Sequence, residues 1–134
     1  MSSKLHTKDV GSITEALILS KLLQLGEKVL IPFGDNRRYD LLIDKENGSF
    51  IRIQCKTALF RTGCVQFSTC SHNKRIKGDD YKGDADLFIV YCPPLNKYYK
   101  IKVDECNVGT MYLRIDPPKN NQKVGIRYAV DFEF

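Results

Sequence analysis

No stretch of the chain holds the roughly 18 consecutive apolar residues that a membrane-crossing helix needs, so no transmembrane helix is expected. The opening Met-Ser-Ser-Lys-Leu-His lacks the apolar core of a signal peptide, which makes a soluble cytoplasmic protein with no membrane partner the expectation. No C-x-x-C pair occurs among Cys55, Cys64, Cys70, Cys92 and Cys106, and their number is odd, so reduced, partly buried thiols are expected rather than a disulfide framework. A structural zinc site built from Cys64, Cys70, His72 and Cys106 is the alternative that the spacing leaves open. There is no internal repeat, no low-complexity segment and no sign of a second domain.

A chain of 134 residues is large enough to bury a core, and one domain spanning 1–134 is expected. The net charge of +5 is compatible with a nucleic-acid partner, although many soluble proteins share it. Residues 8–25 have the pattern of a helix, with Ile13, Ala16, Leu17, Leu19, Leu22 and Leu23 forming a broad apolar surface and Gly26 placed to end it. Residues 28–33 look like a first strand, with Pro32 marking an edge or an end. Further strands are expected at 39–44, 50–56, 64–69, 86–92, 98–103 and 110–115, and the tail 127–134 alternates as a strand would. Residues 70–84 are polar and contain glycine, which suggests a loop or short helix, and 117–123 form a polar loop. The expected class is α/β or α+β, a helix followed by a strand-rich sheet.

The most informative stretch is Arg38-Tyr-Asp-Leu-Leu-Ile-Asp44 with Ile51-Arg-Ile-Gln-Cys-Lys56. A three-residue loop Glu46-Asn47-Gly48, with glycine in the left-handed position, pairs Lys45 with Ser49. Ile43 then faces Ile51, Leu41 faces Ile53 and Asp40 faces Gln54. A slip of one residue would put the isoleucines on the wrong face, so the apolar pattern and the turn agree. Lys56 follows Gln54 by two residues and shares its face. A carboxylate, an amide oxygen and an amine converge there. Together they suit a hard cation such as Mg²⁺ and a phosphate.

Each candidate also has an ordinary reading. Asp40, Gln54 and Lys56 could be the solvent face of a hairpin, but aspartate within a strand is disfavoured and here it faces an amide and an amine. Glu15 points with Ile18, Leu19 and Leu22; as an acid among apolar neighbours it is either a rim residue or aimed into a site. Arg37, Arg38, Arg52, Arg61, Lys74, Arg75 and Lys77 are candidate DNA contacts, though charge runs are commonly only solvated faces. His72 reads as a loop histidine. Asp79, Asp80, Asp84 and Asp86 read as loop formers and strand caps rather than as a second acidic site.

Glu15 in a first helix, then Gly34-Asp-Asn-Arg-Arg-Tyr-Asp40, then Ile53-Gln-Cys-Lys-Thr57 resembles the PD-(D/E)xK nuclease superfamily, and within it the small homing endonucleases associated with group I introns. Tyr81-Lys-Gly-Asp-Ala-Asp-Leu-Phe-Ile-Val-Tyr-Cys-Pro93 extends the likeness, which spans roughly residues 9–103. The resemblance implies a restriction-endonuclease-like core, a mixed central sheet flanked by helices. It implies Asp40 as the main metal-binding carboxylate, Lys56 as the catalytic lysine and Glu15 as a supporting acid. Gln54 stands where the family usually has an acid, which removes one negative charge from the metal site. Tyr39 stands where the motif name has proline.

The resulting expectation is an endonuclease on double-stranded DNA, with Mg²⁺ (or Mn²⁺) held by Asp40, Gln54 and Glu15, acting as a homodimer or homotetramer. Alternatives of the same fold are a Holliday-junction-resolvase-like, structure-selective nuclease, and a DNA-binding module that Gln54 has weakened catalytically.

Overall fold

The computed structural model describes all residues except 1–3, 35–36, 71–80, 118–119 and 121–123. Helix α1 (Thr7–Gln24) begins where the His6 ring accepts the Lys8 N–H at 3.2 Å. Asp9 in the first turn and Lys21 in the last complement its dipole. Gly26, at φ +85°, ends it. Its N–H donates to Leu23 and that of Glu27 to Leu22, the paired closing bonds that a glycine after a helix allows.

Strands follow at β1 (Lys28–Leu30), β2 (Leu41–Asp44), β3 (Phe50–Thr57), β4 (Leu59–Arg61), β5 (Cys64–Ser68), β6 (Leu87–Cys92), β7 (Lys97–Lys102) and β8 (Thr110–Arg114). They make a five-stranded sheet in the order β1-β2-β3-β6-β7 and a three-stranded sheet in the order β4-β5-β8. β3 and β6 run parallel and the other pairs antiparallel, so the larger sheet is mixed. The hairpin has the expected register, Leu41 to Ile53 and Ile43 to Ile51, closed by Lys45 N–H to Ser49 O and by Gly48 at φ +87°.

Two apolar layers hold the sheets. Ile18 and Leu22 of α1 pack on Leu41, Ile43, Ile53 and Ile89. Each such side chain, fully buried, contributes about 1.5–3 kcal/mol of transfer free energy. On the opposite face, Phe88, Val90, Tyr99 and Ile101 meet Val65, Phe67, Met111 and Leu113 of the smaller sheet. Phe88 sits edge-on to both Phe67 and Tyr81, with ring centroids 5.7 Å apart in each pair. β6 is therefore covered on both sides, which explains its unbroken apolar run Leu-Phe-Ile-Val.

Several expectations are corrected. Ile13 and Leu23 are about half exposed, and α1 buries a narrower stripe of Thr14, Ile18 and Leu22, four residues apart. β1 ends at Leu30, before Pro32, which has no N–H to donate. Strand β4 is too short to show a pattern of its own in the sequence. Among the described residues α1 is the sole α-helix, on one face of the mixed sheet, and the sheet β4-β5-β8 covers the other face. Residues 59–68 form a hairpin there, turned by Thr62 and Gly63 at φ +51° and +72°, the pair of positive values a tight two-residue turn uses. The tail 127–134 is not a strand. It makes single bridges, Tyr128 to Arg114 and Glu133 to Tyr99, around a 3₁₀ turn at Ala129–Asp131. It crosses from the smaller sheet to the larger, so no neighbour runs beside it for more than one residue.

Candidate active site

β3 outruns its partner. β2 pairs only as far as Ile53, so Gln54–Thr57 extend beyond the hairpin while still pairing with β6 on the other side. Alternation along the ladder points the Cys55 N–H toward the side that β2 has vacated. Asp40 fills the gap. Its own N–H donates to Ile53 O at 2.7 Å, and its carboxylate accepts the Cys55 N–H at 2.9 Å. Asp40 thus lies just before β2 rather than within it, which removes the conflict with strand propensity. Burial raises its pKa, opposed by the Cys55 hydrogen bond and by Lys56.

Lys56 lies on the face that the smaller sheet covers. Its ammonium sits 4.8 Å from the Tyr81 ring centroid and 6.0 Å from that of Phe88, and donates to Cys70 O at 3.3 Å. Burial lowers its pKa to about 8, with Asp40 and Cys70 acting in the opposite sense and Arg38 adding to the depression. Arg38 shares the same platform, its guanidinium 4.3 Å from the Tyr81 centroid and its Nε 3.5 Å from Asp84.

Glu15 reaches the same place from α1. Its pKa is raised first by burial and then by the charge of Asp40. The helix–sheet seam is fixed by Thr14 and Thr57, whose hydroxyl oxygens lie 2.6 Å apart. Beside Glu15, a cavity of about 250 Å³ runs between Ser12, Ala16, Leu19, Ile31 and Leu41. Gln54 is half-buried on the Lys56 face of β3, opposite Phe88 of β6. Its amide makes no hydrogen bond to the described residues.

The basic candidates divide. Arg37 is exposed and Arg61 stands exposed at the tip of the β4–β5 hairpin. Arg52 spends its donors on Asp86, with Nε at 3.2 Å and Nη2 at 3.0 Å, and on Gly83 O at 2.8 Å. Asp84 and Asp86 thereby serve as partners for Arg38 and Arg52, not as an acidic cluster. His72, Lys74, Arg75, Lys77, Asp79 and Asp80 lie outside the described residues. The alternative zinc set is not assembled among the described residues. No three His, Cys, Asp or Glu side chains gather there, and Cys64 and Cys106 sit instead against Arg114 and Lys102 O. Tyr81, Cys70 O and the Thr14–Thr57 bridge had no signal in the pattern, because each acts through a contact distant in sequence.

No helix among the described residues is long and apolar enough to cross a membrane. The chain is similar in structure to I-Ssp6803I, described as a bacterial homing endonuclease, with a TM-score of 0.69 and 25% identity over 97% of this chain and 88% of that one. No protein of curated function matches it. The family model for PD-(D/E)XK endonucleases matches residues 5–134. With a mixed sheet, an Asp40–Lys56 pair at the free end of β3 and that match over nearly its whole length, the chain belongs to the PD-(D/E)XK endonucleases.

Proposed function

We propose that the chain is a single-domain, metal-dependent endonuclease that hydrolyses phosphodiester bonds at specific sites in duplex DNA. The observation that supports this most is the Asp40 carboxylate, held by the Cys55 N–H at the free end of β3, where it acts electrostatically on Lys56 from one face of the sheet and on Glu15 from the other.

The donor set fits a hard cation. Asp40 and Glu15 repel one another in a half-buried seam, and a divalent ion between them would remove that cost. Two carboxylates and the Gln54 amide oxygen are oxygen donors throughout, which suits Mg²⁺ or Mn²⁺. When bound, the ion supplies Lewis-acid polarisation of the phosphate and stabilises the charge that develops on it. Gln54 in place of an acid leaves the set one negative charge poorer, and Glu15 makes up the difference.

The protein's own groups do the rest. The Cys55 N–H holds the Asp40 carboxylate in one orientation before substrate arrives, so no reorganisation is needed at the moment of reaction. Lys56 Nζ, anchored by Cys70 O, is positioned to steady charge on the attacked phosphate. With its pKa near 8 it also exchanges a proton readily with the attacking water. Arg37, with Lys74, Arg75 and Lys77, holds the DNA backbone, contacts that position the duplex without reading its sequence. The two-fold symmetry of duplex DNA favours a homodimer or homotetramer.

Cleavage of a supercoiled plasmid library tests the proposal, run with Mg²⁺, with Mn²⁺, with EDTA, and with Lys56→Ala. Discrete cuts that need the metal and vanish in the variant are expected. Absence of cutting in both metals, on the plasmids and on a four-way junction, would overturn it.

A further inference from the structure

We infer that the outer face of the β4-β5-β8 sheet enters the major groove and reads base edges there, chiefly through Arg61, Gln66 and Tyr112. The inference takes its partner, duplex DNA, from the function proposed above.

Strand alternation sends one set of side chains from this sheet into the core and the other set outward. The register aligns Leu59, Gln66 and Tyr112 in one outward row, Arg61 and Arg114 on either side of the buried Cys64 in the next, and Ser68 with Thr110 in a third. Leu59 and Tyr112, side by side with Gln66 in that row, are each 51% exposed. The outward strand positions hold two arginines and no carboxylate, a charge pattern that complements DNA and not a basic protein partner.

The two arginines have different work. Arg114 is spent inside the sheet. It donates to Thr62 O at 3.3 Å and Asp116 O at 3.1 Å and lies 3.0 Å from Cys64 Sγ, bracing the hairpin tip. The Arg61 guanidinium makes no hydrogen bond or ion pair to the described residues and stands at that braced tip. Gln66 is held through Nε2, which donates to Arg61 O at 3.1 Å, leaving its amide oxygen to accept from a base. The chemistry is that of major-groove readout: arginine donates to guanine O6 and N7, a glutamine oxygen accepts from an exocyclic amine, and Leu59 and Tyr112 offer apolar surface to a thymine methyl.

The β4–β5 hairpin, which carries Arg61 and Gln66, is a two-stranded ribbon of the kind a major groove about 12 Å wide admits, and Tyr112 flanks it one strand, about 4.8 Å, away. The sheet is also continuous with the site, since Leu59 follows Lys56 by three residues of extended chain, about 10 Å. The bases read should therefore lie within about three to five base pairs of the cut phosphate, at roughly 3.4 Å per base pair.

The test is a randomised duplex library, selected in two arms by the full chain: by binding in EDTA, and by cleavage in Mg²⁺. Wild type is compared with R61A, Q66A and Y112A. A loss of discrimination of about ten- to a hundredfold is expected at adjacent base pairs, with each variant relaxing its own position. Variants that keep the wild-type base preference within twofold would overturn the inference. So would a weakening equal for all sequences, which marks phosphate contacts only, or a change in oligomeric state with base preference intact, which marks a protein interface. Sequence-selective binding without cleavage would refute the nuclease reading and leave this one standing. Cleavage with no sequence preference in either arm would do the reverse.

Discussion

The main-chain N–H of Cys55 donates to the Asp40 carboxylate at 2.9 Å, across 15 residues of chain. One hydrogen bond closes the open end of a hairpin and aims a carboxylate at the site. Asp40→Asn keeps an acceptor for that N–H and relieves repulsion with Glu15, so its thermal midpoint should equal or exceed that of the wild type. Asp40→Ala leaves the N–H unsatisfied and should cost about 1–3 kcal/mol. Both should lose at least about a hundredfold in cleavage. Thermal melts beside plasmid nicking check the pair, and an active Asp40→Asn enzyme would remove Asp40 from the proposed chemistry.

Lys56 carries its charge at a cost, since burial brings its pKa down to about 8. Lys56→Met keeps the length of the side chain and its packing on Tyr81 and Phe88 without a buried charge. It should match or exceed the wild type in stability and fall about a hundredfold or more in cleavage rate. Urea midpoints and single-turnover rates measure both. A Lys56→Met protein that melts well below the wild type would mean that the lysine serves the fold.

The Thr14–Thr57 contact at 2.6 Å ties α1 to β3 next to Glu15. Thr14→Val should leave the Thr57 hydroxyl without its partner and cost about 1–2 kcal/mol. Thr14→Val combined with Thr57→Val should cost less than the sum of the single changes, because the stranded hydroxyl is then gone. A double-mutant cycle of unfolding free energies gives the coupling, and strict additivity would show that the contact contributes nothing.

Asp86 holds the pKa-lowering bonds of Arg52, in its side chain and its main-chain N–H. A carboxyl whose folded pKa is depressed stabilises fully above its unfolded value and loses that contribution as pH falls through the folded one. The advantage of wild type over Asp86→Asn should accordingly be present at pH 6 and shrink toward pH 3. Because the pair is partly exposed, the difference at pH 6 should be no more than about 1 kcal/mol. Urea midpoints at the two pH values check it, and a gap that widened with acid would contradict the assignment.

The hairpin and its register were legible because period-two burial and a glycine turn are local signals that agreed. The end of α1 was legible for the same reason, Gly26 being needed where the chain turns left-handed. Ile13 and Leu23 misled, since apolar type says that a residue can be buried and not that a neighbour will cover it. The tail misled in another way: its alternation is real, but a strand also needs a partner running beside it. The site was half legible. Asp40, Gln54 and Lys56 share a short motif, whereas Tyr81 and Cys70 reach Lys56 from a distant segment that no spacing rule connects to it.

By itself, then, the order of residues determined α1, most of the strands, the hairpin register and the set of chemical groups available, because those depend on contacts within a few residues and on side-chain type. Only the tertiary structure decided that the second face of the sheet is covered by strands and that Glu15 feels the charge of Asp40. It alone placed Lys56 over Tyr81 and Phe88 in a buried position, and that burial lowers its pKa. Burial and electrostatic coupling are properties of what surrounds a group, and those surroundings come from parts of the chain far apart in sequence.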